Sequence, residues 1–407
     1  MPSRVLVVSA HLPYPPRWGF GMRVYQLTRQ IASRHDVTLL CYATPGNENV
    51  ARLREEFPVE VVERRPQSTP AKRLSQLHSL ASRIPYDCHT TYSREMQEAI
   101  DRLCAEREFD IVQLESTLLA PFRFPPGAQI VLDEHNIDYE TYARMHETER
   151  SPLRRAFYRD QERRFRRYEQ RRWQEVAACV ATSEREAEIM RRHAPDTLVA
   201  AVPNAVDVDY FQPDATPGEP RTLVFNGVLD YRPNVDGVNF LVDEVLPLLR
   251  ERWPDVRLTV VGRGPEGEIK GLARRGVEAT GEVPDVRPYL RGAAVVAVPI
   301  RMGSGTRLKV VEALALGKPV VSTTLGCEGV DVRDGEHLLV GDTAQAFAAQ
   351  VERLFESPET GERLGRAGRE LMERQYSWDY AGRRLEDVYR LVAGAGSGLQ
   401  RRDRVTT

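Results

Sequence analysis

No uninterrupted hydrophobic run in this sequence approaches the roughly 18–20 residues that a membrane span needs. The opening MPSRVLVVSAHLPYPP holds a short apolar run cut by Pro13, and nothing after it resembles a cleavage site. It is therefore predicted to be a first β-strand and not a signal peptide. Cysteine is scarce and unpatterned: Cys41, Cys88, Cys104, Cys179 and Cys327 are an odd number, with no C-x-x-C. That pattern predicts reduced thiols in a cytoplasmic compartment, with neither a zinc site nor a disulfide framework. Charge of one sign is also lacking. A net charge of -2 and a pI of 6.5 give a nucleic-acid partner no global support. After the first strand there is no complete G-x-G-x-x-G with a ribose-binding acid, which weighs against a dehydrogenase. Gly19 and Gly21, ahead of a predicted helix, suggest close backbone approach to a ligand and no more.

What is present is an ordinary globular composition, 41% hydrophobic and 29% charged over 407 residues, with a mean hydropathy of -0.45. That length is comfortable for two domains. The chain is organised around 299–323, PIRMGSGTRLKVVEALALGKPVVST. An apolar strand ends at Pro299, a Gly-Ser-Gly loop follows, a helix is predicted over 306–316, and a second β-branched strand starts at Pro319. The loop would lie at the carboxyl end of a parallel strand, where open α/β sheets bind ligands. Arg307 and Lys309 fall in the first helical turn, where the macrodipole disfavours cations. A bound anion reverses that preference, because free N–H groups and two cations then converge on it. The competing reading is an i,i+3 surface pair of Lys309 with Glu312, worth a few tenths of a kcal/mol. The group taken together favours an anion site.

Strands are predicted at 4–9, 36–41, 60–62, 111–114, 130–133 and 178–182 in the first half, with a helix over 22–33. Residues 66–95 lack clean periodicity and read as a loop with a short helix, or as an acceptor-facing or membrane-surface excursion. Residues 151–175 read as a long Arg-rich helix. It is either a patch for anionic lipid or a phosphorylated acceptor or, preferably, a solvated helix laced with i,i+4 pairs, with Phe157, Phe165, Tyr168 and Trp173 packed inward. The second half repeats the pattern, with strands at 222–228, 257–261, 277–280 and 294–299 and a helix over 234–250. The fold class expected is α/β, two Rossmann-like doubly wound domains facing across a cleft. The boundaries expected are 1–205 for the first domain, 206–220 for the linker and 221–377 for the second. A helix near 378–394 should pack back on the first domain, and 395–407 reads as a disordered tail.

GSGTRLKVVEALALGKPVVSTTLGCEGV resembles the donor-binding signature of retaining, nucleotide-sugar-dependent glycosyltransferases with the GT-B fold. PYPPRWGFGMRVYQL, DEHNIDYE, ATSERE, VPNAVDVDYFQP, VFNGVLDYRPNVDG and VVGRGP resemble other segments of that family, in order and along nearly the whole chain. The resemblance implies that Glu312 holds the nucleotide ribose, as the second Glu of the family's E-x7-E pattern. Ser304 stands where the first Glu is expected. Gly303, Ser304, Gly305, Thr306 and Gly227 would then line the donor. The family's usual Arg and Lys on the first loop of the second domain are missing, Asn234 or Val235 standing near the Lys position. Arg307 and Lys309 are inferred to replace them, because the diphosphate charge must be met somewhere. His135 matches the family histidine that reaches the donor sugar. Gly19, Phe20 and Gly21 would approach the diphosphate or the acceptor, and Arg23 could add charge there. Asp133, Glu134 and Asp138 beside His135 invite a metal reading, but such enzymes generally use none, so no metal and no cofactor are expected. Asp207-Val208-Asp209 reads as a turn in the linker. The activity implied is transfer, with retention, from a nucleotide-diphosphate sugar to a sugar, glycan or lipid-linked acceptor, in the cytoplasm or at the inner membrane face. A nucleotide-sugar 2-epimerase and a non-catalytic scaffold are the alternatives.

Overall fold

The computed structural model describes residues 2–16, 18–64, 82, 84–214, 218–303 and 305–403. The chain divides into two compact units, residues 1–203 with 378–407 and residues 204–377.

In the first unit the strands are β1 (Arg4–Ser9), β2 (Asp36–Ala43), β3 (Val59–Glu63), β4 (Ile111–Glu115), β5 (Gln129–Glu134), β6 (Ala178–Ala181) and β7 (Leu198–Ala201). They form one sheet in the order β3-β2-β1-β4-β5-β6-β7, and each neighbouring pair is parallel, from Arg4↔Asp36 to Ser9↔Cys41 in the first. Parallel strands are covered on both faces, so their sequences run apolar without alternation. Val5, Leu6, Val7 and Val8 are all fully buried. The strand order reverses between β1 and β4, a point that no crossover helix bridges on the sheet's carboxyl edge.

The second unit repeats the plan with β8 (Glu219–Asn226), β9 (Arg257–Val261), β10 (Glu278–Gly281), β11 (Ala293–Val298), β12 (Val320–Ser322) and β13 (Leu339–Val340). The order is β10-β9-β8-β11-β12-β13, again parallel. Here the reversal falls between β8 and β11, and the Gly-Ser-Gly stretch follows β11.

Several boundaries differ from the sequence reading. The helix expected over 22–33 begins at Gly19 and runs to Ala32, so the two glycines belong to its first turn. The helix expected over 234–250 is interrupted: Arg232–Phe240, a wide π turn at Leu241–Val245, then Leu246–Arg252. Pro247 lacks the N–H that an unbroken α-helix would use there, and a wide turn accommodates that loss. The last helix spans Trp378–Asp403 and so continues into the segment read as a disordered tail. It lies in the first unit, where Gln30 Nε2 donates to Asp379 (3.1 Å) and His35 Nε2 meets Glu386 (2.6 Å). Of the segment 66–95, residues 66–81 and 83 lie outside the described residues. The Arg-rich helix Pro152–Glu175 buries Phe165, Tyr168 and Trp173 and carries the i,i+4 pairs Arg164–Asp160, Arg166–Glu162 and Arg171–Glu175. Among the described residues no helix is long and apolar enough to cross a membrane.

Candidate functional site

The sequence places site residues in both units, and in each unit they fall at the carboxyl edge where its strand order reverses. In the second unit β8 closes on Asn226 and Gly227, and β11 opens into the loop 299–307. Gly303 (φ 94°) and Gly305 (φ 85°) turn that loop through left-handed conformations that side-chain-bearing residues rarely adopt. The helix begins later than the sequence suggests, at Leu308, with Arg307 as its N-cap. Ser304 lies outside the described residues.

Lys309 and Glu312 do not form the surface pair that spacing alone allows. Lys309 Nζ donates to Asn234 Oδ1 at 2.9 Å and sits 4.1 Å above the Phe225 ring centroid. Its partner Asn234, in the helix Arg232–Phe240, is one of the two positions, with Val235, at which the resemblance expects a lysine. The ammonium thus reaches from one helix to the first turn of another. Glu312 Oε2 accepts from Asn226 Nδ2 at 3.2 Å, while Asn226 Oδ1 is buried without a donor among the described residues. A Cβ at Gly227 would come within 2.8 Å of Lys309 Nζ and 2.9 Å of Asn234 Nδ2, so only glycine lets these groups meet. Burial, then the Arg307 charge, depress the Lys309 pKa to about 7, against a smaller opposing pull from Glu312. Burial raises that of Glu312, partly offset by Asn226 and Lys309. Arg307 is itself buried, and its Nη2 donates to Met302 O at 3.4 Å, across the turn that it caps.

In the first unit His135 directly follows β5. Its ring stacks on Phe20 with centroids 4.5 Å apart, and Phe20 in turn meets His11 edge-on at 5.6 Å. Glu115, the last residue of β4, takes His135 Nε2 at 2.8 Å. Phe20 belongs to this group; Gly19 opens the same helix, and Gly21 packs on its own loop. A Cβ there would meet Pro13 O and the Trp18 ring at 3.2 Å. Arg23 is a correction. It is fully buried, holds Asp133 through Nε and Nη2 (2.7 Å at closest) and donates through Nη1 to Val202 O at 2.8 Å. It ties the helix to the ends of two strands and offers no charge to a ligand.

The oxygen and nitrogen atoms of Glu115, Asp133 and His135 lie within 4.8 Å of one another. A cation there would have to compete with Arg23 for Asp133, and with His135 for Glu115. Glu134 is likewise committed, accepting from Thr117 N and Trp173 Nε1 at 3.0 Å each. Asp207 Oδ1 accepts from the amides of Asp209 and Tyr210, the turn expected of that tripeptide. Asn226 and Glu115 were not singled out by sequence. Each is a polar residue closing an apolar strand (VFN, IVQLE), which is the signal that could have found them.

Two family models match the chain. Glycosyltransferase Family 4 matches residues 19–210 and Glycosyl transferases group 1 matches residues 220–357. Together with the fold they support a place among the GT-B glycosyltransferases. A phosphatidyl-myo-inositol mannosyltransferase of Mycobacterium tuberculosis is 33% identical over 214 residues, 49% of this chain and 56% of the relative. The matched region thus spans about half the length of that curated relative. Among solved structures, sucrose-phosphate synthase from Thermosynechococcus elongatus aligns over 97% of this chain and 100% of its own with a TM-score of 0.73 at 18% identity. The Anabaena HepE protein in complex with UDP aligns over 95% and 98% with a TM-score of 0.67 at 15% identity. At these identities the likeness is one of fold.

Proposed function

We propose that this two-unit GT-B chain is a glycosyltransferase that moves a sugar, with retention and without a metal, from a nucleotide-diphosphate donor to a sugar, glycan or lipid-linked acceptor. The observation that carries the reading is the Asn226–Glu312 and Asn234–Lys309 arrangement around Gly227. A carboxylate and an ammonium converge there on the edge where open α/β sheets bind nucleotides. The group 1 match over the same region supports it. The name of the mycobacterial relative supports a lipid-linked acceptor, and the HepE complex supports a uridine donor.

In this reading Glu312 accepts from the ribose hydroxyls, and Asn226 Oδ1, which has no donor among the described residues, takes one of them. Lys309 meets the diphosphate together with loop amides near Gly303 and Gly305. The diphosphate gains charge as the anomeric bond breaks, so a cation fixed before reaction stabilises the transition state more than the ground state. The departing phosphate assists deprotonation of an acceptor that attacks on the same face of an oxocarbenium-like sugar. His135 contacts the donor sugar.

A thermal shift series with UDP, GDP and ADP, with Mg²⁺ or with EDTA, tests this. A ligand at 100 times its Kd adds about 2.7 kcal/mol of stability. One diphosphate should stabilise the chain equally with and without metal. Glu312→Gln should abolish that shift and lower turnover by orders of magnitude while leaving the unliganded melting temperature near wild type. Near-normal turnover in Glu312→Gln would overturn the ribose assignment, and silence from every diphosphate would overturn the function.

A further inference from the structure

Behind His135 lies a buried chain of polar groups that no part of the reaction has yet used. Tyr389, on the last helix, donates its hydroxyl to Gln113 Oε1 at 2.6 Å. Gln113 Nε2 donates to Glu115 Oε1 at 2.6 Å, and Glu115 Oε2 meets His135 Nε2 at 2.8 Å. Gln113, Glu115 and Tyr389 are each at most 1% exposed. The polarity of the chain is set from one point. An ionised carboxylate only accepts, so Gln113 must present its amide N–H to Glu115, and its carbonyl then faces Tyr389. Burial, with the neighbouring carboxylates, raises the Tyr389 pKa well above its ordinary value, so the phenol keeps the proton it donates. By the same logic His135 must donate from Nε2. Phe20 stacked on the ring resists its rotation.

We infer that Glu115 is a positioning residue that holds His135 as the Nε2–H tautomer, with Gln113 and Tyr389 orienting Glu115, so that Nδ1 is left as a hydrogen-bond acceptor for a sugar hydroxyl. In a neutral imidazole the bond made by one nitrogen decides what the other can do. A carboxylate behind a histidine is the arrangement that fixes tautomer and ring angle together. The inference deepens the role proposed for His135 and depends on the transferase reading only for its catalytic consequence.

The test is a long-range ¹H–¹⁵N spectrum of the histidine rings in the full chain, with His135 assigned by the signal that His135→Asn removes. Wild type should show a single Nε2–H tautomer at neutral pH. Glu115→Gln leaves one carbonyl oxygen for two donors, so the His135 signals should move towards a tautomer mixture. Tyr389→Phe, a milder change that keeps the ring in place, should move them the same way by less. With a donor that the wild type turns over, Glu115→Gln should lose roughly tenfold or more in kcat with KM for the donor unchanged. A tautomer mixture in the wild type overturns the inference, and so does an Nδ1–H form or a spectrum that Glu115→Gln leaves unaltered. If the wild type turns over no nucleotide sugar, the transferase reading falls, and the spectra still decide the tautomer.

Discussion

Lys309 is held where its charge is costly. Burial and the neighbouring Arg307 bring its pKa to about 7, so near neutrality a large fraction of the ammonium is lost in the unliganded protein. A diphosphate placed beside it would restore the ordinary preference for the charged form, and binding would then take up a proton above pH 7. The affinity of a nucleotide-diphosphate sugar, whose phosphates do not titrate near neutrality, should therefore fall as pH rises from 7 to 9. The slope should approach tenfold per unit. Lys309→Met removes both the cost and the use. A charged hydrogen bond contributes about 1.5–3 kcal/mol, so binding should weaken by roughly 10- to 100-fold and its pH slope should vanish. The melting temperature should stay level or rise, since an apolar replacement of a buried charge is often stabilising. Calorimetric titration at three pH values, with a thermal melt of each protein, checks both halves. Unchanged affinity in Lys309→Met would remove the diphosphate from this residue. Arg307, grouped with Lys309 from its place in the motif, stands at the N-cap position of the same helix, and its charge is one of the causes that depress the Lys309 pKa.

At the scale of elements, the helix Asp138–Thr148 starts on a buried acid. Glu169, on the neighbouring helix Pro152–Glu175, accepts the Asp138 and Tyr139 amides at 2.7 and 3.0 Å, serving as an N-cap supplied from another element. Glu134 and Asp138 are its neighbours. Burial raises all three pKa values, and repulsion from each other adds to the shift of Asp138 and Glu169. A carboxyl with a raised folded-state pKa contributes stability that is full below its unfolded value, near 4.5 for glutamate. That contribution is lost as pH rises through the folded value. The first unit should thus gain stability from these groups between pH 8 and pH 5. Glu169→Gln, which keeps an acceptor for the helix amides, should flatten that dependence. A melting curve of each protein at the two pH values decides it, and an equal slope in Glu169→Gln would reject the assignment. None of this was readable from the chain alone, because the cap and its helix start lie about thirty positions apart. The same limit separates what was legible from what was not. β1 and β11 are unbroken apolar runs and were found. β7 and the two-residue β13 are short edge strands defined by their neighbours, and were missed. Lys309 and Glu312 share one helical turn and could be read together. Gln113 and Tyr389 are 276 positions apart and could not.

For the whole molecule, the decisive element is the one that leaves the second unit and ends in the first. The helix Trp378–Asp403 buries Trp378, Leu385, Val388, Tyr389 and Val392, each at most 6% exposed. Gly382 brings it so close to the helix Gly19–Ala32 that a Cβ there would lie 2.7 Å from the Gln30 Cβ. Full burial of such side chains stabilises by about 1.5–3 kcal/mol each, so the five together contribute on the order of 10 kcal/mol, as much as a whole domain's net stability. Ending the chain at Ser377 should accordingly unfold the first unit. Residues 204–377 keep their own sheet, and Val206 still pairs there with Ser377. Calorimetry of the truncated chain should lose the first unit's transition and keep one that a nucleoside diphosphate still raises, since the groups assigned to the nucleotide all lie in the second unit. Gly382→Leu should reproduce the loss with no residue removed. If truncation instead abolishes every transition, the two units fold as one, and the stability of the nucleotide half depends on a helix with no part in its sheet.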